Sequence, residues 1–317
     1  LIRYHQSDFP DFLITKAKGS YIYDENGRAI LDFTSGQMCS TLGHNHPAIL
    51  AAMEKSMQEA IHLFSSYFSP IIIELARELA SLLPEQLSKM AFHNTGAESN
   101  ELAIRLAKKV TGRFEIVALA SGWAGQTAAA SSATFYGKVR KGYGPAMPGT
   151  YAIPNPNCYR CPIKHCQNKC DMACLDVGFE MIDMQTTSAP AAIIVEPIQS
   201  GAGIIVPPEG YFKRMKQYCE ERGMLLIFDE AQTSFRTGTN FAFEQEDIIP
   251  DILTASKTIG AGIPLAATMT SPDIEQTCHE RGFIYYTSHI SDPLPAYVGL
   301  AVIKTIQDEN LNRQAKE

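Results

Sequence analysis

The sequence lacks the features that mark membrane-spanning, nucleic-acid-binding or repetitive proteins. No hydrophobic run approaches the roughly 20 residues that a membrane-spanning helix needs. Lysine and arginine are not clustered and the net charge is −7, which argues against a nucleic-acid partner. Internal repeats and low-complexity segments are missing, and residues 1–8 have no signal-peptide pattern. We therefore expect a globular, cytoplasmic protein without a membrane or nucleic-acid partner.

The sequence does contain enough apolar residues for a large core. Hydrophobic residues make up 45% of the 317 positions, and charged residues make up 19%. A chain of this length buries most of its apolar surface, so we expect one large domain with a smaller appendage.

Short apolar runs alternate with helical patterns along the chain. Apolar residues recur every three or four positions in residues 47–60 and 70–83, which predicts two helices. Runs of strand length occupy residues 113–120, 191–196 and 224–228. Residues 21–32 are typical of a hairpin that turns at Asn26 and Gly27. Strands that alternate with helices predict an α/β fold with a buried, mainly parallel sheet.

Two residues in this pattern suggest a cofactor. Asp229 ends an apolar run, and Lys257 follows downstream in a segment with two glycines. Pyridoxal phosphate needs a lysine to bind its aldehyde and an acid to keep its ring nitrogen protonated. A solvated lysine and a helix-capping aspartate are the alternatives, which these two residues alone favour. The neighbouring segments reverse that preference.

A phosphate site is predicted at the start of the helical pattern that follows Asn94. Thr95, Gly96 and Ala97 would leave backbone N–H groups open at the N-terminus of this helix, where an anion binds. An ordinary capped helix is the alternative, which the lysine and the aspartate make less favourable.

Three candidate residues follow predicted strands. They are Trp123, the only tryptophan, and the two acids Glu196 and Asp229. The sites of a parallel sheet gather beyond the carboxyl ends of its strands, so these residues are expected to share one crevice. There Trp123 would stack on a pyridine ring, although an aromatic residue at such a position is often part of the core.

Six segments of the chain resemble the class III, fold type I pyridoxal-phosphate aminotransferases. They are residues 31–38, 42–47, 94–101, 229–233, 250–258 and 286–295, and they span nearly the whole chain. Within that class, Ser-Gly-Gln-Met at 35–38 and His-Ile-Ser-Asp-Pro-Leu-Pro at 289–295 are most similar to 2,2-dialkylglycine decarboxylase. The resemblance implies a PLP-dependent transferase fold, with a mainly parallel seven-stranded sheet flanked by helices.

The resemblance also implies a division into domains. Residues 1–45 would belong to a small domain and residues 46–317 to the large cofactor-binding domain. The C-terminal small domain of the family is expected to be missing from this chain. Because that domain supplies the arginine that binds the substrate carboxylate in the family, the carboxylate site would have to be built otherwise.

The resemblance assigns roles to individual residues. Lys257 would bind the cofactor covalently, Asp229 would contact its ring nitrogen, and Gln232 would bond its ring hydroxyl. Gln37 would face the substrate carboxylate. Ser288 would reach a phosphate across a subunit interface, so a homodimer with shared sites is expected. The remaining cofactor contacts would come from Thr95, Gly96, Ala97, Trp123 and Glu196.

The implied reaction is a decarboxylating transamination. A 2,2-dialkylglycine such as 2-aminoisobutyrate would lose carbon dioxide, and pyruvate would accept the amino group. A class III aminotransferase that acts on an ω-amino or α-amino acid and a 2-oxo acid is the alternative. A relative without catalysis is less favoured, because Lys257, Asp229 and Gln232 are all present.

The decarboxylase-like members also bind an alkali ion, so the resemblance implies a potassium or sodium site. Its ligands would be the carbonyls of Leu63 and Ile290 and the side chains of Ser65, Ser288 and Asp292. Oxygen ligands with one carboxylate suit a hard, weakly charged ion. A turn aspartate before a proline is the alternative for Asp292.

The chain departs from the family pattern at two places near the implied site. Ala124 follows the tryptophan where the family usually has a histidine. The loop of residues 234–238 is one residue shorter than usual. We expect an altered environment around the cofactor at both places.

A cluster of cysteines is the other unusual pattern. Its members are Cys158, Cys161, Cys166, Cys170 and Cys174. The first two have the spacing of a metal-binding knuckle, so a structural zinc site is one interpretation. Reduced thiols or a disulfide are the interpretation that we favour. Cys170 and Cys174 would share one helix face if the helix began at Asp171.

Overall fold

The computed structural model describes residues 9–164 and 170–317, whose strands form two sheets. The small sheet contains β1 (Ile14–Lys18), β2 (Tyr21–Asp24) and β3 (Ala29–Leu31). The large sheet contains β4 (Lys89–His93), β5 (Glu115–Leu119), β6 (Thr150–Ile153), β7 (Pro190–Val195), β8 (Leu225–Asp229), β9 (Ile252–Ala255) and β10 (Ala266–Thr270).

The large sheet has the order β4-β10-β9-β8-β7-β5-β6. β10 is antiparallel to both of its neighbours, and the other pairs are parallel. The three strands predicted from apolar runs are confirmed as β5, β7 and β8. Because these three strands are parallel, the residues that follow them meet at one edge of the sheet. The predicted α/β architecture with a mainly parallel sheet is confirmed.

The helical segments alternate with these strands. They are α1 (Ser35–Met38), α2 (Pro47–Glu59), α3 (Pro70–Ser81), α4 (Gly96–Thr111), α5 (Ala128–Ala133), α6 (Gly137–Arg140), α7 (Ala173–Gln185), α8 (Tyr211–Arg222), α9 (Pro272–Glu280), α10 (Pro293–Asp308) and α11 (Leu311–Lys316). The two helices predicted from periodicity are confirmed as α2 and α3. Short 3₁₀ turns occupy Glu85–Leu87, Cys158–Arg160, Ala242–Gln245 and Lys257–Gly260.

The start of α7 differs from the expectation. The helix begins at Ala173, because the Asp171 carboxylate accepts the Ala173 N–H at 3.0 Å and Met172 has a left-handed φ of 62°. A residue with positive φ cannot continue a right-handed helix. Cys170 therefore precedes the helix and does not share a helix face with Cys174.

Alternate residues of the central strands pack on opposite faces of the large sheet. In β5, Val117 and Leu119 belong to one buried cluster, and Ile116 and Ala118 belong to another. All six residues of β7 are buried. Each buried isoleucine or leucine side chain contributes about 1.5–3 kcal/mol, so covering both faces with helices stabilises the sheet strongly. This double coverage explains why the strands are continuous apolar runs in the sequence.

The small sheet is an antiparallel meander that precedes α2. The predicted hairpin is confirmed by β2 and β3, and the Asp24 carboxylate accepts the N–H groups of Asn26 and Arg28 at 3.0 and 2.8 Å in its turn. The division into residues 1–45 and 46–317 as two domains stays a prediction. In the part of the chain that the structure describes, none of the helices combines the length and apolar character needed to cross a membrane.

Candidate active site

Asp229 is the last residue of β8, and its carboxylate is 6% exposed. One carboxylate oxygen accepts the side-chain amide of Asn100 at 2.7 Å, and the other accepts the backbone N–H of Ala231 at 3.0 Å. Burial raises the pKa of Asp229, while the Asn100 amide and the charge of Lys257 partly oppose that rise. The carboxylate is therefore fixed in orientation, and it lies near the lysine that the sequence pairs with it.

Asn100 is a site residue that the sequence did not reveal. Its side-chain N–H groups bond the Asp229 carboxylate and the Ala124 carbonyl, both at 2.7 Å, and its oxygen accepts the Thr254 hydroxyl at 2.8 Å. It lies on the buried face of α4 together with Ala103, Ile104 and Ala107. A polar residue in that apolar stripe was the available signal, because buried amides are retained where they bond a partner.

Lys257 begins the 3₁₀ turn that follows β9. Its backbone has a left-handed φ of 49°, and its side chain is half-buried. The lysine charge lowers the pKa of Asp229 and that of Glu196, so the ammonium group lies near both acids. The structure thus brings Lys257 to the sheet edge where Asp229 ends its strand.

The predicted phosphate site forms the N-terminus of α4. The Thr95 hydroxyl accepts the Glu98 N–H at 3.3 Å, and the Glu98 carboxylate accepts the N–H groups of Asn94 and Thr95 at 3.0 and 3.1 Å. This is a capping box, so the capped-helix alternative is correct for Thr95. The N–H groups of Gly96 and Ala97 lie in the first turn and have no intrahelical acceptor, which leaves them available to an anion.

Two close approaches connect this helix start to the rest of the site. A Cβ added at Gly96 would lie 2.8 Å from the hydroxyl of Ser256, the residue before Lys257. A Cβ added at Gly125 would lie 2.7 Å from the Cβ of Ala97. Glycine is therefore required at both positions for the phosphate site, the lysine turn and the Trp123 loop to meet.

Trp123, Glu196 and Asp229 line one cavity, so the predicted shared crevice is present. The Glu196 carboxylate accepts the Trp123 N–H at 2.9 Å and the Ser200 N–H at 3.4 Å. Burial and the nearby Asp229 raise the pKa of Glu196 to about 7. The indole of Trp123 is half-buried and has an edge contact with the Tyr136 ring, with centroids 6.2 Å apart. It is thus not a core residue.

Gln37 lies on the exposed turn α1, which packs against the Lys257–Gly260 turn. The Asp32 carboxylate holds this segment, because it accepts the N–H groups of Thr34 and Gly36 at 2.8 and 2.9 Å. The Met38 carbonyl accepts a hydrogen bond from Arg236. Gln232 is half-buried in the loop after Asp229.

Asp292 accepts hydrogen bonds from two imidazoles that the sequence did not suggest. Its oxygens lie 2.6 Å from Nδ1 of His62 and 2.7 Å from Nδ1 of His289, and ligand atoms of the three residues lie within 4.8 Å of one another. Such a set offers nitrogen as well as oxygen, which suits a transition ion better than an alkali ion. The potassium or sodium site at Leu63, Ser65, Ser288, Ile290 and Asp292 stays a prediction.

The described cysteines of the cluster are free thiols, and Cys166 lies outside the described residues. Cys174 is buried, and burial raises its pKa to about 12. Burial and a hydrogen bond with Cys170 raise the pKa of Cys158, so these two thiols are close together. The zinc site stays a prediction.

The residues at this sheet edge fit pyridoxal phosphate. Open N–H groups at Gly96 and Ala97 suit its phosphate, the fixed acid Asp229 suits its ring nitrogen, and Lys257 suits its aldehyde. The glycine positions 96 and 125 leave room for these groups to meet.

Comparison with known proteins agrees with this geometry. The family described as aminotransferase class-III matches residues 3–317. An uncharacterized aminotransferase of Schizosaccharomyces pombe is 51% identical over 318 residues, which cover 100% of this chain and 70% of the relative. Acetylornithine aminotransferase of Methanopyrus kandleri is 34% identical over 317 residues, which cover 99% of this chain and 76% of the relative.

Solved structures extend the likeness to the fold. An (S)-enantioselective omega-transaminase from Thermomicrobium roseum has a TM-score of 0.88 and 30% identity, and the match covers 95% of this chain and 70% of that one. An amine transaminase from an uncultivated Pseudomonas species, solved with bound pyridoxal phosphate, has a TM-score of 0.90 and 26% identity, and the match covers 99% and 75%. The chain therefore belongs to the class III aminotransferases, a family of pyridoxal-phosphate enzymes with the type I fold.

Proposed function

We propose that the enzyme transfers an amino group from an α-amino or ω-amino donor to a 2-oxo acid. The observation that carries this proposal is the buried Asp229 carboxylate, which Asn100 orients beside Lys257. Relatives named acetylornithine aminotransferase and probable 4-aminobutyrate aminotransferase support an amino-acid donor. A similar structure named taurine:2-oxoglutarate aminotransferase supports a 2-oxo acid as acceptor.

Lys257 has two tasks in this reaction. Bound pyridoxal phosphate would supply the electron-withdrawing ring that makes the donor carbon acidic. The Lys257 amine holds the cofactor at rest. When a donor replaces it, the freed amine removes a proton from the donor carbon as a general base and delivers a proton as a general acid.

Asp229 keeps the ring nitrogen protonated. Burial alone favours the neutral acid, but a cationic ring N–H beside the carboxylate would favour its ionised form. Because Asn100 and the Ala231 N–H already hold both oxygens, the carboxylate pays little reorganisation cost when the cofactor binds.

The other contacts follow from the geometry of the crevice. Gly96 and Ala97 bind the phosphate through their N–H groups, and Thr95 caps the same helix. Trp123 covers one face of the ring. Two residues complete the set, with Gln232 at the ring hydroxyl and Glu196 as an acid near the site.

Decarboxylation of a 2,2-dialkylglycine with pyruvate as acceptor is the second candidate reaction. One observation favours it: the exposed Gln37 lies on the turn that packs against the lysine turn, where it can contact a leaving carboxylate. The relatives named above are aminotransferases, which favours simple transamination. The two reactions differ in whether carbon dioxide is released.

A homodimer is part of this proposal. Ser288 is exposed, as expected of a residue that completes the site of a second subunit. Large apolar side chains are also exposed nearby in the sequence, at Phe64, Tyr67 and Phe68. Exposed apolar patches commonly mark protein interfaces. A potassium or sodium ion at Asp292 would lie in the same region.

The proposal is tested by locating the cofactor and then measuring product. Borohydride reduction of the loaded enzyme followed by peptide mapping should label Lys257. Alanine and a 2-oxo acid other than pyruvate should then yield pyruvate. Release of carbon dioxide from 2-aminoisobutyrate would establish the second candidate, and a label on another lysine would contradict both.

A further inference from the structure

Arg236 lies in the shortened loop after Asp229 and reaches the site from the side opposite α4's open N-terminus in sequence. Its Nε donates to the Thr258 hydroxyl at 2.9 Å, and its Nη2 donates to the Met38 carbonyl. Thr258 directly follows Lys257, and Met38 directly follows Gln37. The guanidinium therefore connects the lysine turn to the Gln37 turn.

The loop that carries Arg236 is firmly held. The buried Glu230 carboxylate accepts the N–H groups of Ala242 and Phe243 at 2.7 and 3.0 Å, and it accepts the Thr233 hydroxyl at 2.8 Å. Phe235 donates its N–H to the Asn240 carbonyl at 2.7 Å. Arg236 is thus presented from a fixed backbone, as a binding residue requires.

The charge of Arg236 has no acidic partner among the described residues. Its two hydrogen bonds go to a hydroxyl and a carbonyl, and no ion pair joins it to a described carboxylate. Burial lowers the pKa of this guanidinium, which nevertheless stays protonated because arginine does not lose its proton in proteins. A half-buried charge without a counter-ion is costly, and an anion that enters beside it recovers part of that cost.

The neighbours of Arg236 indicate which anion fits. Burial raises the pKa of Cys39, and the charges of Lys257 and Arg236 both oppose that rise, so both cations lie near this thiol. An anion bound at Arg236 therefore lies beside the reactive lysine. A guanidinium still offers N–H donors on its second terminal nitrogen in a geometry that matches a carboxylate.

We propose that Arg236 binds the carboxylate of the amino-acid substrate, so that the enzyme prefers donors with a carboxylate next to the reacting carbon. This inference rests on the proposed transamination. It makes Arg236 a specificity-determining residue, with Gln37 on the same side of the pocket.

The experiment compares two donors of nearly the same shape. Alanine and isopropylamine differ only in that a carboxylate replaces a methyl group. In single-turnover half-reactions, Arg236→Gln should lower kcat/KM for alanine by about 10- to 100-fold, the effect of losing a charge-assisted hydrogen bond. The same variant should change kcat/KM for isopropylamine by less than about threefold, because that donor has no carboxylate to lose.

Binding supplies a readout that does not depend on turnover. Isobutyrate is alanine with a methyl group in place of the amine, and calorimetry should detect its binding to the wild-type enzyme but not to Arg236→Gln. Arg236→Lys keeps the charge without the planar fork, so it should bind isobutyrate at an intermediate affinity.

Arg140→Gln is the matched control. Arg140 is also half-buried and donates to two backbone carbonyls, those of Ser132 and Thr134, at 2.9 and 2.8 Å. Its replacement should leave both donors and isobutyrate binding unchanged. Equal losses for alanine and isopropylamine in Arg236→Gln, or unchanged isobutyrate affinity, would overturn the proposal, since Arg236 would then only position the two turns. Failure of the borohydride label at Lys257 would instead refute the proposed function itself.

Discussion

Asp229 and Asp292 are two nearly buried carboxylates with very different surroundings. Asp229 is 6% exposed and Asp292 is 8% exposed, and each accepts hydrogen bonds through both oxygens. The donors to Asp229 are the buried Asn100 amide and a backbone N–H. The donors to Asp292 are His62 and His289, whose side chains are 50% and 60% exposed.

This difference separates a site that the chain completes from one that depends on something else. The contacts of Asp229 come from the sheet and from α4, so its orientation is set when the chain folds. The contacts of Asp292 come from exposed side chains that solvent, an ion or a second subunit can reach. Substitutions on the Asp229 side should therefore act on the chemistry, and those on the Asp292 side should act on what binds there.

The largest effect is expected at Lys257. Lys257→Ala should lower turnover by about 10⁴-fold, the upper range for a positioned general acid–base residue. Steady-state rates and absorbance of the bound cofactor would measure it. Lys304→Ala is the control, because Lys304 pairs with Glu74 at 3.0 Å on the surface and should retain full activity. Retained turnover in Lys257→Ala would break the comparison on its chemical side.

Asp229→Ala should have the next largest effect. Loss of the preorganised carboxylate should lower turnover by about 10²- to 10³-fold, while the cofactor remains bound through its phosphate. Asn100→Ala removes only the orientation of that carboxylate and should lower turnover less. If Asp292→Asn slowed the reaction as much as Asp229→Ala, the proposed separation of the two sites would fail.

Glu196 predicts a pH dependence of stability on the buried side of the site. Its pKa is raised to about 7 in the folded protein, so the folded state holds a proton that the unfolded state loses near pH 4.5. The sign follows from proton linkage: stability is fully present below pH 4.5 and falls as the pH rises to 7. The loss should be on the order of 2–3 kcal/mol for Glu196.

Urea unfolding of the apoprotein between pH 4.5 and 7.5 would measure this effect. Glu196→Gln should make the profile flatter, although Glu230, with a pKa also raised to about 7 by burial, contributes a similar slope. Glu25→Gln is the control, because Glu25 is exposed. An unchanged profile in Glu196→Gln would show that this carboxyl is ionised in the folded protein at low pH.

The smallest effect is expected from the ion predicted at Asp292. Exchange of potassium for sodium should change kcat/KM by less than about tenfold, equivalent to 1.4 kcal/mol. Asp292→Asn should abolish that difference. Identical rates in potassium, sodium and a bulky organic cation would leave the two imidazoles as the only partners of Asp292. Stabilisation by cobalt or zinc instead would favour a site formed by His62, His289 and Asp292.

The elements of the large sheet could be predicted because their signal is local. β7 is buried on both faces, so each of its residues is apolar and the strand is a continuous run in the sequence. The residues that follow β5, β7 and β8 could be placed together for the same reason, since parallel strands end at one edge. The predictions about Trp123, Glu196 and Asp229 needed only this rule and the strand order.

Contacts between distant segments could not be predicted in the same way. The bond between Asn100 and Asp229 joins residues 129 positions apart, and that between His62 and Asp292 joins residues 230 positions apart. No periodicity specifies such a pair, because each partner only has to be polar. Arg236 was visible in the sequence as part of a shortened loop, but its approach to Met38 and Thr258 depends on how that loop folds.

The backbone at Lys257 has a consequence for the evolution of this position. A left-handed φ of 49° is comfortable for glycine and costs any residue with a Cβ about 1 kcal/mol or more. Folding alone would therefore select glycine here, and the lysine persists against that pressure. A variant library selected only for thermal resistance should drift to glycine at this position, whereas one selected for growth on the reaction product should not.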